Sequence, residues 1–308
     1  MSQYNRDMLE QTPVRAPIRA LFVDIDGTLV GAENRVSPGV QRAIRAARER
    51  DCEIILCTGR TRHTAQPIAE LIGPPLGYVI SSNGGVVMHL DTQEVLCRHL
   101  LPIPMALEVV RAIVTLGLEP YVYEDGTGPT IESARVLYHP DLPVGPWATR
   151  PRYRPHPAIL EDLPFAPVSV STFGPPEKIR PLVQQLRARL PADLSLIESG
   201  TADHWGMDVF TARVNKCRGL ELIAERLGVS QAETMAIGDH INDLEMLTWA
   251  GIGVAMGNAL PEVCAVADWV TASLEEDGVA RAIERFILFP YMALTPNPSP
   301  GAAGEGRT

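Results

Sequence analysis

Short apolar runs rich in β-formers, each closing on a small polar or acidic residue, punctuate both ends of the chain. They are Arg19–Val23 before Asp24, Glu53–Cys57 before Thr58, Tyr78–Ile80 before Ser81, Thr234–Ile237 before Gly238, and Ile252–Ala255. Each is too short for a helix and lacks clean alternation, the pattern of strands buried on both faces of a parallel sheet. Helical periodicity fills the intervals at Pro38–Arg50 behind a Ser37 cap, Arg62–Ile72, Cys217–Leu227 and Asp243–Ala250. This alternation predicts an α/β fold on a doubly wound parallel sheet. In such sheets ligands collect at the carboxyl ends of the strands, so the chemistry is expected where the apolar runs stop.

The middle of the chain follows another pattern. Val86–Leu90 and Val95–Leu100 flank Asp91-Thr92 and read as a hairpin. Amphipathic helices are expected near Met105–Leu116 and Glu177–Leu190, with strands at Tyr121–Tyr123, Val168–Thr172, Leu194–Ile197 and Met207–Phe210. The expected organisation is a discontinuous core over 18–85 and 211–290, interrupted by an α+β insert over 86–210. Residues 291–308, rich in Pro, Gly and Ser, read as a disordered tail.

Composition narrows the function classes. The 308 residues are 45% hydrophobic and 21% charged, the balance of a soluble globular protein, with length for about two domains at ~150 residues each. No apolar run approaches the ~20 residues that span a bilayer, and the polar N-terminus does not read as a secretory signal. A net charge of -10 argues against a nucleic-acid surface, which needs clustered Lys and Arg. Cys52, Cys57, Cys97, Cys217 and Cys264 are odd in number, scattered and without a C-x-x-C pair, which fits a reducing cytoplasm. Proline is unusual: 27 residues, of which 15 fall between 101 and 190.

Four constellations carry candidate chemistry. In Asp24-Ile25-Asp26-Gly27-Thr28 two carboxylates at i and i+2 project the same way from a strand end, and Gly27 permits a tight departure. Such a pair can divide the work of nucleophile and general acid/base, although an ordinary Asp-Gly turn uses the same residues. Cys57-Thr58-Gly59-Arg60 offers a hydroxyl before a helix N-terminus, fitting either an anion site or a simple N-cap. In Gly238-Asp239-His240-Ile241-Asn242-Asp243 the carboxylates of Asp239 and Asp243 share a face beside an amide oxygen. That donor set suits Mg²⁺, while acids complementing a helix dipole are the plainer reading; His240 reads as neutral loop polarity. Lys216 taken alone is an ordinary surface charge, and its interest comes from its company.

In this order, each at the end of a strand-like run, the four resemble the motifs of the haloacid dehalogenase-like (HAD) superfamily. Ser82-Asn83-Gly84-Gly85, Ala255-Met256-Gly257-Asn258-Ala259 and Glu276-Asp277-Gly278-Val279 bring the likeness to its Cof-type, subclass IIB phosphatases. Arg213-Val214-Asn215 stands where family members often carry a glycine. The resemblance implies a Mg²⁺-dependent phosphatase of a small phosphorylated metabolite, a sugar phosphate or phosphorylated cofactor, with the insert as its cap. It implies Asp24 as nucleophile, Asp26 as acid/base, and Thr58 and Lys216 steadying the transferring oxygens. Asp24, Asp239 and Asp243, with the Asp26 backbone carbonyl, would hold the metal. Gly27, Thr58, Gly59, Arg60, Asn83, Lys216 and Asn242 would surround the phosphate. A phosphotransferase or phosphomutase, and a non-catalytic phosphometabolite-binding module, are the alternatives on the same scaffold. A monomer or homodimer, with no nucleic-acid or membrane partner, is expected.

The core treats all phosphoryl groups alike, so substrate choice is expected in the insert. Its densest proline segment, His139–Pro157, contains Trp147, Arg150, Arg152 and Arg154. It reads as a stiff extended connector, with a lid whose arginines meet an anionic substrate while Trp147 or Tyr153 stacks on it as the alternative. His204-Trp205, near the insert's return to the core, are weaker candidates, read first as a buried Trp with a satisfied His.

Overall fold

The structure is a computed structural model that describes residues 16–127, 134–142, 150–189, 194–200, 205–212 and 214–290. The first part of the chain runs β1 (Ala20–Val23), α1 (Pro38–Arg48), β2 (Glu53–Cys57), α2 (Arg62–Leu71), β3 (Tyr78–Ser81), β4 (Val86–His89) and β5 (Val95–Arg98). Next come α3 (Ile103–Thr115), β6 (Tyr121–Tyr123), β7 (Val136–Tyr138), β8 (Tyr153–Pro155), β9 (Ser169–Gly174), α4 (Pro176–Arg189), β10 (Leu194–Gly200) and β11 (Trp205–Thr211). The chain continues through α5 (Lys216–Leu227), β12 (Thr234–Gly238), α6 (Leu244–Trp249), β13 (Ile252–Ala255), α7 (Pro261–Val266), β14 (Trp269–Val270) and α8 (Gly278–Ile283). Trp147 and His204 of the sequence reading, the looser Arg213 position and the expected tail lie outside the described residues.

The core sheet has the order β14-β13-β12-β1-β2-β3-β4-β5. It is parallel from β14 through β3. The chain steps outward from β1 through β2 and β3, then returns to β12 on the other side of β1. That reversal makes the carboxyl end of β1 the topological switch point, where a crevice opens. β1 is buried along its whole length because its two faces feed two cores. Leu21 and Val23 join Ile44 and Ala47 of α1 and Ile283 of α8, whereas Ala20 and Phe22 join Leu220 and Ile223 of α5 and Leu247 of α6.

The strands of the sequence reading are found within two residues, except β10, which runs three residues further to Gly200, and Ser37 caps α1, its hydroxyl accepting from the Val40 amide at 3.1 Å. The insert boundary at 86 needs correction. β4 pairs antiparallel with β3, and β5 with β4, so the hairpin belongs to the core sheet and the insert begins after Arg98. Alternation identifies a hairpin but not the sheet it joins. Here the open edge of β3 takes it, satisfying that edge's backbone groups, and Val86 and Met88 pack into the same core as Leu56.

The insert's own sheet has the order β10-β11-β9-β6-β7-β8, and α3 and α4 cover one face. The side-chain period of two decides what the other face carries. Val122, Val170, Met207 and Val209 point to the helices. Their neighbours Tyr123, Ser169, Phe173, Asp208 and Phe210 face the crevice of the core. Of the proline-rich segment, 143–149 lie outside the described residues; 140–142 and 150–152 turn, and Tyr153–Pro155 form the strand β8, paired in parallel with β7. β7 and β8, three residues each, escaped the sequence reading, which found only the equally short β6.

Gly219 lets α5 lie close on β3. A Cβ there would come 2.7 Å from Cγ2 of Ile80, which is fully buried. In an open helix Gly→Ala gains about 0.5–1 kcal/mol, but overpacking a closed core costs about 1–3 kcal/mol. Gly219→Ala is therefore expected to lower the urea midpoint of unfolding; a raised midpoint would show that α5 can lift off the sheet.

Candidate active site

Asp24 leaves β1 at the switch point and is 5% exposed. Lys216 opens α5, whose N-cap Asn215 accepts from the Arg218 amide at 2.8 Å. The Lys216 side chain is 1% exposed, and its Nζ donates to Asp24 Oδ1 at 2.5 Å and to Asp243 Oδ1 at 2.6 Å. The other oxygen of Asp243 accepts the backbone amides of Asp239 and His240, both at 3.0 Å. The two ends of the core are thereby tied together through one buried ammonium.

The expected residues surround this centre. Thr58 is buried, and its Oγ1 accepts from the Arg60 amide at 3.0 Å, leaving the hydroxyl proton to donate elsewhere. Asn83, with φ 55°, is buried and accepts from Asn242 Nδ2 at 2.9 Å. Gly59 packs against the Asn83 side chain. Gly27 has φ +82°, and any Cβ there would collide with Asp239, so the turn after Asp26 needs glycine.

Arg60 has a different partner from the one expected. Its Nε and Nη2 donate to the two carboxylate oxygens of Asp26 at 2.8 and 2.6 Å, and Nη2 also reaches Asn34 Oδ1 at 2.5 Å. Three positioning residues were not singled out from sequence. Asn34 holds Arg60, Thr28 Oγ1 donates to Asp239 Oδ1 at 3.0 Å, and Asn258 Nδ2 donates to the Gly27 carbonyl at 2.9 Å. Asn258 stood in a motif, but nothing local showed that it reaches across the sheet.

The electrostatics favour a cation. Asp24, Asp239 and Asp243 offer carboxylate oxygens within 4.8 Å of one another. Three carboxylates facing one ammonium leave two excess negative charges, and a hard divalent ion with oxygen ligands matches that donor set. The Asp26 side chain lies outside this group, so only its backbone carbonyl is available to join it. Burial, with the neighbouring carboxylates, raises the Asp24 pKa well above the ordinary value despite Lys216. Burial also pushes Asp239 up to about 6. Burial works against the charge of Lys216, but Asp24 and Asp243 outweigh it and hold the ammonium protonated.

The centre opens into a cavity of about 1190 Å³ between core and insert. Asp24, Asp26, Arg60, Asn83, Asp239, His240 and Asn242 lie on the core side, with Arg150 and Arg152 among the residues facing them. Arg154 is exposed and bonds to the carbonyls of its own segment.

A family model for haloacid dehalogenase-like hydrolases matches residues 21–283. The chain belongs to that family. An HMP-PP phosphatase of Serratia proteamaculans is 30% identical over 90% of this chain and 98% of its own. A phosphoglycolate phosphatase of Methanothermobacter thermautotrophicus is 27% identical over 88% of this chain and 99% of its own. Among solved structures, a HAD subclass IIB sugar phosphatase superposes with a TM-score of 0.68 at 25% identity, covering 87% of this chain and 98% of its own. The resemblance read from the motifs is thus confirmed at the level of family and fold, and the protein is a HAD-type phosphatase. No helix among the described residues is long and apolar enough to cross a membrane.

The HAD centre makes a prediction for the metal-stripped protein. Asp24 and Asp239 have folded-state pKa values raised above their unfolded ones, so the stability they confer is present at low pH and is lost as pH rises, for Asp239 through about 6. A divalent cation binds only the ionised carboxylates. The gain in Tm on adding saturating MgCl₂ to chelator-treated protein is expected to be small near the ordinary Asp pKa of about 4 and to grow through pH 6. A gain independent of pH, or none, would refute the cation site.

Proposed function

We propose that this centre hydrolyses a phosphate monoester through an aspartyl-phosphate on Asp24. The observation that carries the reading is the placement of Asp24 at the switch point, held by Lys216 and flanked by the Asp239 and Asp243 carboxylates. Asp24 attacks phosphorus as the bond to the leaving oxygen breaks, and that oxygen takes a proton from Asp26. Asp26, now a carboxylate, removes a proton from water, which attacks the same phosphorus and releases phosphate and Asp24. Lys216 spends two donors on Asp24 and Asp243, so its third is available to a phosphoryl oxygen. The Thr58 hydroxyl supplies another donor, and the two act by positioning and electrostatics.

Asp24, Asp239 and Asp243, with the Asp26 carbonyl, would hold Mg²⁺, which supplies charge compensation between a carboxylate nucleophile and a phosphate dianion. Arg60 enters this scheme through Asp26. Its bidentate pairing engages both carboxylate oxygens, so the pair opens before Asp26 can pass a proton to the leaving group. Direct contact of Arg60 with phosphate requires the same opening. The part-buried Asn83–Asn242 bond lines the site and ties the turn that carries Asp243 to Asn83.

The substrate in this reading is a small phosphorylated metabolite, a sugar phosphate or phosphorylated cofactor, which the cavity has room to enclose. The five cysteines are free, in keeping with a cytoplasmic enzyme working as a monomer or homodimer. A screen of phosphorylated metabolites with Mg²⁺ tests the function, and phosphate release without an added acceptor separates hydrolysis from phosphotransfer. Asp24→Asn, whose amide oxygen can still accept from Lys216, is expected to reduce turnover by at least about three orders of magnitude while the protein still unfolds in one cooperative thermal transition. Near wild-type turnover in that variant would exclude the covalent route.

A further inference from the structure

The cap wall of the cavity is polarised. Asp208 of β11 and Arg152, which leads into β8, are separated in the sheet order by β9, β6 and β7. Four strand spacings of ~4.8 Å put them roughly 19 Å apart. The carboxylate of Asp208 is occupied by the Ser171 hydroxyl on the adjacent strand. It therefore leaves the opposite end of the wall positive.

That positive end is built. The carbonyl of Arg152 accepts the Val136 amide at 3.0 Å, fixing its backbone to β7, and the carbonyl of Arg150 accepts the Tyr153 amide at 3.0 Å. Arg152 Nη1 donates to Thr61 Oγ1 of the core at 2.8 Å, and its guanidinium lies 5.5 Å from the centre of the Tyr153 ring. The nearby acids are taken: Glu124 pairs with Arg135 at 3.0 Å, and Asp125 with Arg98 at 3.1 Å. Burial, together with Arg62 and Arg152, lowers the His63 pKa on the same side, which favours the neutral ring. Among the described residues no carboxylate pairs with Arg150 or Arg152, although both face the cavity that holds Asp24. A guanidinium held by a neutral hydroxyl keeps further N–H donors in a planar fork suited to an oxyanion.

We propose that Arg152, with Arg150 at the rim, forms a second oxyanion subsite, and that the preferred substrate is a phosphate monoester whose leaving group carries a carboxylate or a second phosphate. The inference rests on the phosphatase reading for the direction in which the substrate lies: transferring phosphoryl at Asp24, second anion beneath β8. It turns the two readings of the proline segment into one. The strand stiffens the wall, and the arginines that lead into it meet the substrate from there.

Binding to Mg²⁺-loaded Asp24→Asn protein, which holds substrate without turning it over, tests the proposal by calorimetry with two matched pairs. One pair is 6-phosphogluconate against glucose 6-phosphate; the other is fructose 1,6-bisphosphate against fructose 6-phosphate. The doubly anionic member of at least one pair is expected to bind about tenfold tighter, and Arg152→Gln to remove most of that ratio. Arg154→Gln, two residues on but bonded to its own segment, is expected to leave the ratio intact. The first pair reports a carboxylate and the second a phosphate. Equal affinities within both pairs, or a preference that survives Arg152→Gln, would overturn the proposal. Hydrolysis of p-nitrophenyl phosphate by the wild type is read separately. Its absence with the binding ratio intact would sink the phosphatase reading alone.

Discussion

A single buried ammonium organises this molecule. Lys216 has almost no contact with solvent, so its charge persists only because Asp24 and Asp243 stand within hydrogen-bond distance. Removing one partner of such a buried group costs about 3–5 kcal/mol. The lysine and Asp24 are 192 positions apart in sequence. Their contact closes the core across the whole insert, and the same contact orients the carboxylate proposed as nucleophile. Stability and chemistry are therefore coupled at one point. The remaining negative charge of the cluster is what makes a divalent cation a suitable occupant.

Around this dry centre the site becomes progressively wetter. Asp24, Asp243 and Thr58 are buried, whereas the side chain of Asp26 is 61% exposed and held by Arg60. A group that must exchange protons with a leaving oxygen and with water needs such access; a nucleophile that must not be solvated away needs the opposite. The insert completes the arrangement by presenting one face of its sheet to the crevice. Strand alternation puts aliphatic residues against α3 and α4 and leaves serines, aromatics and one aspartate facing the substrate cavity.

Much of this was legible before any coordinates. Apolar runs ending at Asp24, Thr58, Gly238 and Ala255 mark strands whose ends become loops, and residues beyond a buried strand's end have nowhere to project except the crevice. The hairpin after β3 was recognised as a hairpin but assigned to the insert, because pairing preference is set by which sheet edge is open. The partnership of Arg60 with Asp26 and Asn34 was not legible either. It joins loops after different elements, and no spacing rule connects them. Thr28 and Asn258 act in the same way, through bonds to Asp239 and to the Gly27 carbonyl.

What the sequence determined by itself was the order of elements, the discontinuous core and the identity of the acidic, hydroxyl and lysine groups at the strand ends, because burial period and turn chemistry are local properties. Tertiary structure decided which of those groups touch. It buried one lysine between two particular aspartates, paired Arg60 with Asp26, and set the guanidinium and carboxylate of the cap wall on strands far apart in a six-stranded sheet. Charge–charge contacts depend on distances between segments remote in the chain, and those distances exist only after the sheets have formed.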